Sequence, residues 1–144
     1  MKLIKGLVIA AALLAHQGVA ALHVIVDVYD CVVPQDPVKL EILLRNAAQL
    51  SDNVGLEFVS HVFHPEGITA VLLLAESHIS VHYWPENKYA ALDIYTCGEN
   101  AKPHKALRYL LEEFNASRIE ITELGRDQAR FTNLSFSYGK NIVK

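Results

Sequence analysis

Several features that would assign this 144-residue chain at sight are missing. There are only two cysteines, Cys31 and Cys97, with no CxxC pair and no Cys/His spacing suited to zinc. No metal site is expected, and a single disulfide between the two stays open. Charged residues are only 20% of the chain and the net charge is -3, so no basic field exists to hold a phosphate backbone and nucleic acid is not an expected partner. Repeats, low-complexity tracts and linkers are absent. The longest apolar run, Leu7 to Ala15, falls short of the roughly 20 residues a membrane-spanning helix needs, so no membrane partner is expected. What is present is a 51% hydrophobic content, enough for one domain with one core.

The N-terminal segment, residues 1–21, stands apart from the rest. Lys2 and Lys5, the apolar run and then His16-Gln17-Gly18-Val19-Ala20 have the layout of a secretory signal peptide. An apolar helix packed on the domain, or translation assigned from an upstream start, would read the same way. The domain proper is expected over residues 22–144.

Within it, Leu22, Val24, Val26 and Val28 alternate with other residues as in a strand ending at Tyr29. Leu40, Leu43, Leu44, Ala47, Ala48 and Leu50 follow helical spacing, with Asp36 placed to cap the helix and Pro37 suited to its first turn. Leu56–Phe63 and Thr69–Ala75 read as strands joined by a turn at His64-Pro65-Glu66-Gly67. Lys105–Phe114 reads as a second helix and Arg118–Glu123 as a last strand. The tail after Gly125 carries no expected element. Strands in a meander with two returning helices predict an α+β fold, a two-layer sandwich with an antiparallel sheet and helices on one face.

The chemistry lies in the segment from Ala75 to Gly98, which reads as two strands around a turn at Glu86-Asn87-Lys88. Centring that turn on Asn87 places Ser77 opposite Cys97, with Cβ atoms about 5 Å apart. His82 is five residues from Ser77 on the same strand, roughly 16 Å away and on the other face. If both serve one site, His82 must come from a second copy, which predicts a symmetric dimer. Taken singly, Ser77 reads as a strand residue, Cys97 as a small buried hydrophobe and His82 as a sheet histidine.

Together, Glu76-Ser77-His78-Ile79-Ser80, His82, Trp84-Pro85-Glu86 and Thr96-Cys97-Gly98 resemble the processing and active-site segment of bacterial and archaeal S-adenosylmethionine decarboxylases. A weaker likeness runs from His23 and Asp27–Cys31 through Glu120–Leu124. The resemblance implies a proenzyme that cuts itself between Glu76 and Ser77. In that scheme the Ser77 hydroxyl adds to the Glu76 carbonyl, an N-to-O acyl shift gives an ester, β-elimination releases the Glu76 carboxylate and leaves dehydroalanine, and hydrolysis of its imine tautomer by water, with loss of ammonia, yields a pyruvoyl group. By the same likeness His82 assists processing as a base, and Thr69 steadies the tetrahedral intermediate as an oxyanion donor. The pyruvoyl group would form a Schiff base with the substrate amine and act as electron sink, so no pyridoxal phosphate and no metal are implied. Cys97 would donate the proton after carbon dioxide leaves, Phe63 would stack on the adenine, and Glu86 would accept both ribose hydroxyls.

Three departures stand out: Tyr83 where the family usually has Thr, Leu22 before His23 where a Gly and a basic residue are common, and Asn87-Lys88 in place of a Gly-containing turn. Of these, Tyr83 is expected nearest the site. The implied activity is decarboxylation of S-adenosylmethionine to the aminopropyl donor for spermidine synthesis, in a cytoplasmic homodimer with shared active sites. One rival keeps the pyruvoyl chemistry with arginine or ornithine as substrate, which export through residues 1–20 would favour. Another is an unprocessed, non-catalytic paralogue acting as a binding partner, against which the intact Glu76-Ser77, His82 and Cys97 set argues.

Overall fold

The computed structural model describes residues 21–98 and 100–126, and the backbone of 133–139. The signal-like segment lies outside these residues except for Ala21, which begins the first strand. The elements are β1 (Ala21–Tyr29), α1 (Pro37–Leu50), β2 (Gly55–Val62), β3 (Ile68–Leu74), β4 (His78–Trp84), β5 (Tyr89–Cys97), α2 (Pro103–Glu113), β6 (Arg118–Gly125) and β7 (Asn133–Gly139). The strands form one sheet in the order β2-β3-β4-β5-β1-β6-β7, antiparallel at every pairing. This is the expected α+β sandwich with one strand more. β7 adds an edge beside β6, and its sequence carries a period-two signal, Leu134, Phe136 and Tyr138, in the tail where no element was expected.

Both helices begin at a proline, and α1 has a side-chain cap as well. The Asp36 carboxylate accepts the Val38 N–H at 2.9 Å, and Pro37, lacking an N–H to satisfy, occupies the first turn. α2 starts at Pro103, two residues ahead of the expected Lys105, because proline fits a first helical turn for the same reason. Leu40, Leu44, Ala47 and Ala48 of α1 are buried, as are Ala106, Leu107 and Leu110 of α2. They pack on Val24, Val26, Val28, Leu72, Ile79, Val81, Leu92, Ile94 and Ile121 from one face of the sheet. Each fully buried Leu or Ile contributes about 2 kcal/mol relative to exposure. Glu123 is also fully buried on this face, with Oε1 2.6 Å from His104 Nε2 at the start of α2.

Among the described residues the other face carries no helix, and most of its residues are polar, aromatic or exposed. Trp84 stacks between His82 and Tyr89, with centroids 6.2 and 5.3 Å away, and Arg118 lies 3.5 Å over the Tyr29 ring. On β2 and β3 the same face leaves Val59 70%, Val71 37% and Leu73 47% exposed. Both cysteines are free, which closes the disulfide alternative. Cys31 sits beyond the end of β1 that pairs with Tyr89, while Cys97 pairs with Ala21 at its other end.

Candidate active site

The β4–β5 hairpin turns through a 3-10 segment at Pro85–Asn87, closed by Lys88 in the left-handed conformation. Trp84 pairs with Tyr89 and His78 with Tyr95. The ladder is therefore shifted by one residue from the expected register. Proline has no N–H for the ladder, so Pro85 joins the loop, the loop has an even number of residues, and its centre falls between Glu86 and Asn87. Continued past His78, the register sets Ser77 across from Thr96, not Cys97. Since a one-residue shift exchanges the faces of a strand, the pairing of hydroxyl and thiol is corrected to a pairing of two hydroxyls.

Ser77 belongs to a second turn as well. Leu73 pairs with His78, so Leu74 and Ser77 form the next pair and Ala75-Glu76 is a two-residue connection between β3 and β4. The Leu74 N–H donates to the Ser77 carbonyl at 2.9 Å. The Glu76–Ser77 peptide bond thus lies at the exit of a tight turn. Among the described residues the Ser77 hydroxyl is buried without a hydrogen-bond partner, and the same holds for the Thr96 hydroxyl. A buried, unpartnered serine hydroxyl next to the carbonyl of a turn residue fits the side chain from which a pyruvoyl group would be made.

At the opposite end of the sheet, Thr69 and His82 are directly paired, with Thr69 Oγ1 and His82 Nδ1 2.9 Å apart. Phe63 and Glu86 lie at this end too, because the β2–β3 and β4–β5 turns sit side by side where Ile68 pairs with Tyr83. Phe63 is 48% exposed, edge-on to His61 with ring centroids 4.8 Å apart, and its N–H donates to the Gly67 carbonyl at 2.9 Å. Gly67 has φ +111, and a Cβ there would come within 3.2 Å of the Tyr83 carbonyl oxygen, so the Phe63 corner requires glycine. Glu86 is exposed on the 3-10 turn.

The seven candidate residues therefore fall into two groups within one chain. Glu76, Ser77 and Cys97 are at one end of the sheet; Phe63, Thr69, His82 and Glu86 are at the other. His82 lies five positions along from Ser77, roughly 16 Å.

Cys97 is half-buried on the helix-free face, beside residues the sequence alone did not single out. Tyr95, two positions earlier on the same strand, is flanked by His23 and His78, with ring centroids 5.4 and 5.7 Å away. A hydrogen bond to Cys97 is the main cause that holds the Tyr95 hydroxyl above its ordinary pKa. The signal that could have found Tyr95 is its i, i+2 spacing from Cys97. Burial holds His23 below its ordinary value, partly offset by Asp93, whose Oδ1 is 3.6 Å from His23 Nε2.

Tyr83, the departure expected nearest the site, faces away from it. Its side chain is buried among the core residues, its hydroxyl donates to the Cys31 carbonyl at 3.2 Å, and burial raises its pKa. Among the described residues no group of three or more His, Cys, Asp and Glu could hold a metal ion, and no helix is long and apolar enough to cross a membrane.

Residues 22–127 match the family model described as S-adenosylmethionine decarboxylase. An S-adenosylmethionine decarboxylase proenzyme of Pyrococcus furiosus is 43% identical over 126 residues, covering 83% of this chain and 91% of that one. One from Syntrophomonas wolfei is 40% identical over 106 residues, covering 72% and 84%. The crystal structure of the adenosylmethionine decarboxylase from Aquifex aeolicus is similar with a TM-score of 0.68 and 32% identity, covering 78% of this chain and 94% of that chain. With the family model matched over most of its length, two relatives covered over 91% and 84% of theirs and its fold shared with a solved member, the chain belongs to the S-adenosylmethionine decarboxylase family.

Proposed function

We propose that the chain cuts itself between Glu76 and Ser77 and, with the pyruvoyl group so formed, decarboxylates S-adenosylmethionine to the aminopropyl donor for spermidine synthesis. The observation that carries this reading is that the family match, residues 22–127, takes in every candidate residue from Phe63 to Cys97. The pyruvoyl group supplies the electron sink for loss of carbon dioxide. The chain's own residues do the rest. Ser77 provides the hydroxyl that attacks the Glu76 carbonyl. Thr69 and His82, already hydrogen-bonded, act as a unit in processing, the hydroxyl toward the developing oxyanion and the imidazole as base. Cys97 delivers the proton to the substrate carbon, Phe63 stacks on the adenine, and the Glu86 carboxylate accepts the ribose hydroxyls.

A complete site on this reading takes one end of the sheet from each of two chains. Two copies related by a two-fold axis, with their helix-free faces together, would bring Cys97 and the sheet end that carries the Glu76–Ser77 bond of one beside Thr69, His82, Phe63 and Glu86 of the other. The exposed apolar residues Val59, Val71 and Leu73 on that face are what such a contact would cover. A cytoplasmic location goes with a cytoplasmic substrate.

The test pairs intact mass with substrate preference. The expected products are fragments 1–76 and 77–144, the second blocked at its N-terminus, with any removal of residues 1–20 read from the first. Ser77→Ala should remain one chain. Carbon dioxide release should be far faster from S-adenosylmethionine than from arginine or ornithine, and Glu86→Gln should raise KM by removing a charge-assisted acceptor. A chain that stays whole, or that prefers an amino acid, overturns the reading.

A further inference from the structure

The helix-side row of the sheet ends in Leu74, Ser77, Thr96 and Leu22 on four neighbouring strands, as the registers Leu73 with His78, His78 with Tyr95, and Leu22 with Thr96 require. All four are buried. Two are leucines and two carry hydroxyls, and among the described residues neither hydroxyl has a partner. Buried polar side chains without partners are rare in folded proteins and point to a role other than stability. Here the two orphans are cross-strand neighbours, at a spacing of about 5 Å between Cβ atoms. Rotation of the side chains would join them in one hydrogen bond, each satisfying the other. No charged side chain stands in this row to compete for either.

We propose that Thr96 is a positioning residue for self-cleavage, its hydroxyl oxygen accepting the Ser77 O–H and thereby holding Ser77 Oγ toward the Glu76 carbonyl carbon. The inference rests on the self-processing reading and names a residue that this reading leaves without a part. In the step concerned, the Ser77 Oγ–carbonyl carbon bond forms, the carbonyl carbon–nitrogen bond breaks, and the hydroxyl proton ends on the released amine, leaving an ester. Thr96 neither gains nor loses a covalent bond. It selects the rotamer from which the attack occurs, in a row whose other two side chains, Leu22 and Leu74, offer no acceptor.

Thr96→Val keeps the shape and the β-branching and removes only the hydroxyl. Because that hydroxyl is buried without a partner, the variant should melt no lower than its parent when both carry Ser77→Ala and cannot be cut. In the cleavable chain Thr96→Val should slow appearance of the two fragments by about tenfold or more, as loss of one hydrogen bond in a developing transition state does, and Thr96→Ser should restore the rate. Hydroxylamine, which cleaves the ester but not the amide, locates the step: the Thr96→Val chain should yield no more hydroxylamine-sensitive material than the parent. Cleavage of Thr96→Val at the parent rate overturns the proposal. So does an accumulation of ester, which would move Thr96 to the elimination. If Thr96→Val melts well below its parent, Thr96→Ala and Thr96→Ser are compared, and equal rates for those two overturn it as well. A parent chain that never cuts itself would instead defeat the self-processing reading and leave these comparisons distinguishable from it.

Discussion

Thr69 and His82 stand opposite each other on β3 and β4, joined by a 2.9 Å contact between Oγ1 and Nδ1. The bond ties the orientation of the imidazole to a hydroxyl on the neighbouring strand, so the two cannot be varied independently. Thr69→Val should therefore slow self-cleavage by about a hundredfold, the usual loss for one oxyanion donor, while Thr69→Ser retains most of the rate. Densitometry of precursor and fragments over time reads both. A Thr69→Val chain processed at the parent rate would confine the contact to a structural role.

On the proposed function, the split of the candidate residues between two ends of the sheet would make processing a property of pairs. Ser77→Ala and His82→Ala chains, each expressed alone, should process little. Co-expressed, they form mixed dimers in which the His82→Ala chain is cut, since its Ser77 meets the neighbour's His82, while the Ser77→Ala chain stays whole. Mass spectrometry tells the chains apart. Absence of cleavage in mixed dimers that demonstrably form would show that His82 acts within its own chain or takes no part.

Tyr83 is placed to stabilise rather than to recognise. Tyr83→Phe deletes the hydroxyl that donates to the Cys31 carbonyl and should cost about 1 kcal/mol, the net worth of one such bond. Denaturant midpoints measure this. Carbon dioxide release from S-adenosylmethionine should be unchanged, and a large shift in KM would return Tyr83 to the site.

His23 gives the fold an acid sensitivity whose sign follows from its environment. Burial, the nearby His78 and Arg126 lower its pKa from 6.5, against the opposing pull of Asp93. Between the lowered folded value and 6.5 the unfolded chain binds more protons, so stability rises with pH in that window and is lost as pH falls through it. His23→Gln should flatten this part of the curve in urea titrations between about pH 5 and pH 8. An unchanged slope would mean that the groups around His23 compensate its burial.

Most of the secondary structure was legible in the order of residues. Alternating valines mark β1, the Asp36-Pro37 cap marks α1, and the turn at His64–Gly67 lies where its proline and glycine put it, because each of these signals acts over a few residues of chain. Two features were misread. The tail's Leu134, Phe136 and Tyr138 alternation was passed over, and it forms β7 only as an added edge to β6. The hairpin register was set one residue off, since Pro85 could sit in the ladder or in the loop and only the built turn decides between them.

What the sequence determined by itself is the inventory of this protein: an α+β chain carrying Glu76-Ser77, His82 and Cys97 in the pattern of a self-processing decarboxylase. Residue type and local spacing are enough for the elements, and the likeness of that segment to S-adenosylmethionine decarboxylases implies the rest. The tertiary structure decided which of these residues meet. Strand pairing brought Thr69 to His82 across 13 positions of sequence, set Ser77 before Thr96 instead of Cys97, turned Tyr83 into the core, and divided the candidate residues between two ends of the sheet. Pairing partners depend on hydrogen bonds between distant strands and on which face the helices cover, and a shift of one residue reverses every face. That information is distributed over the whole sheet, so no single segment of the sequence carries it.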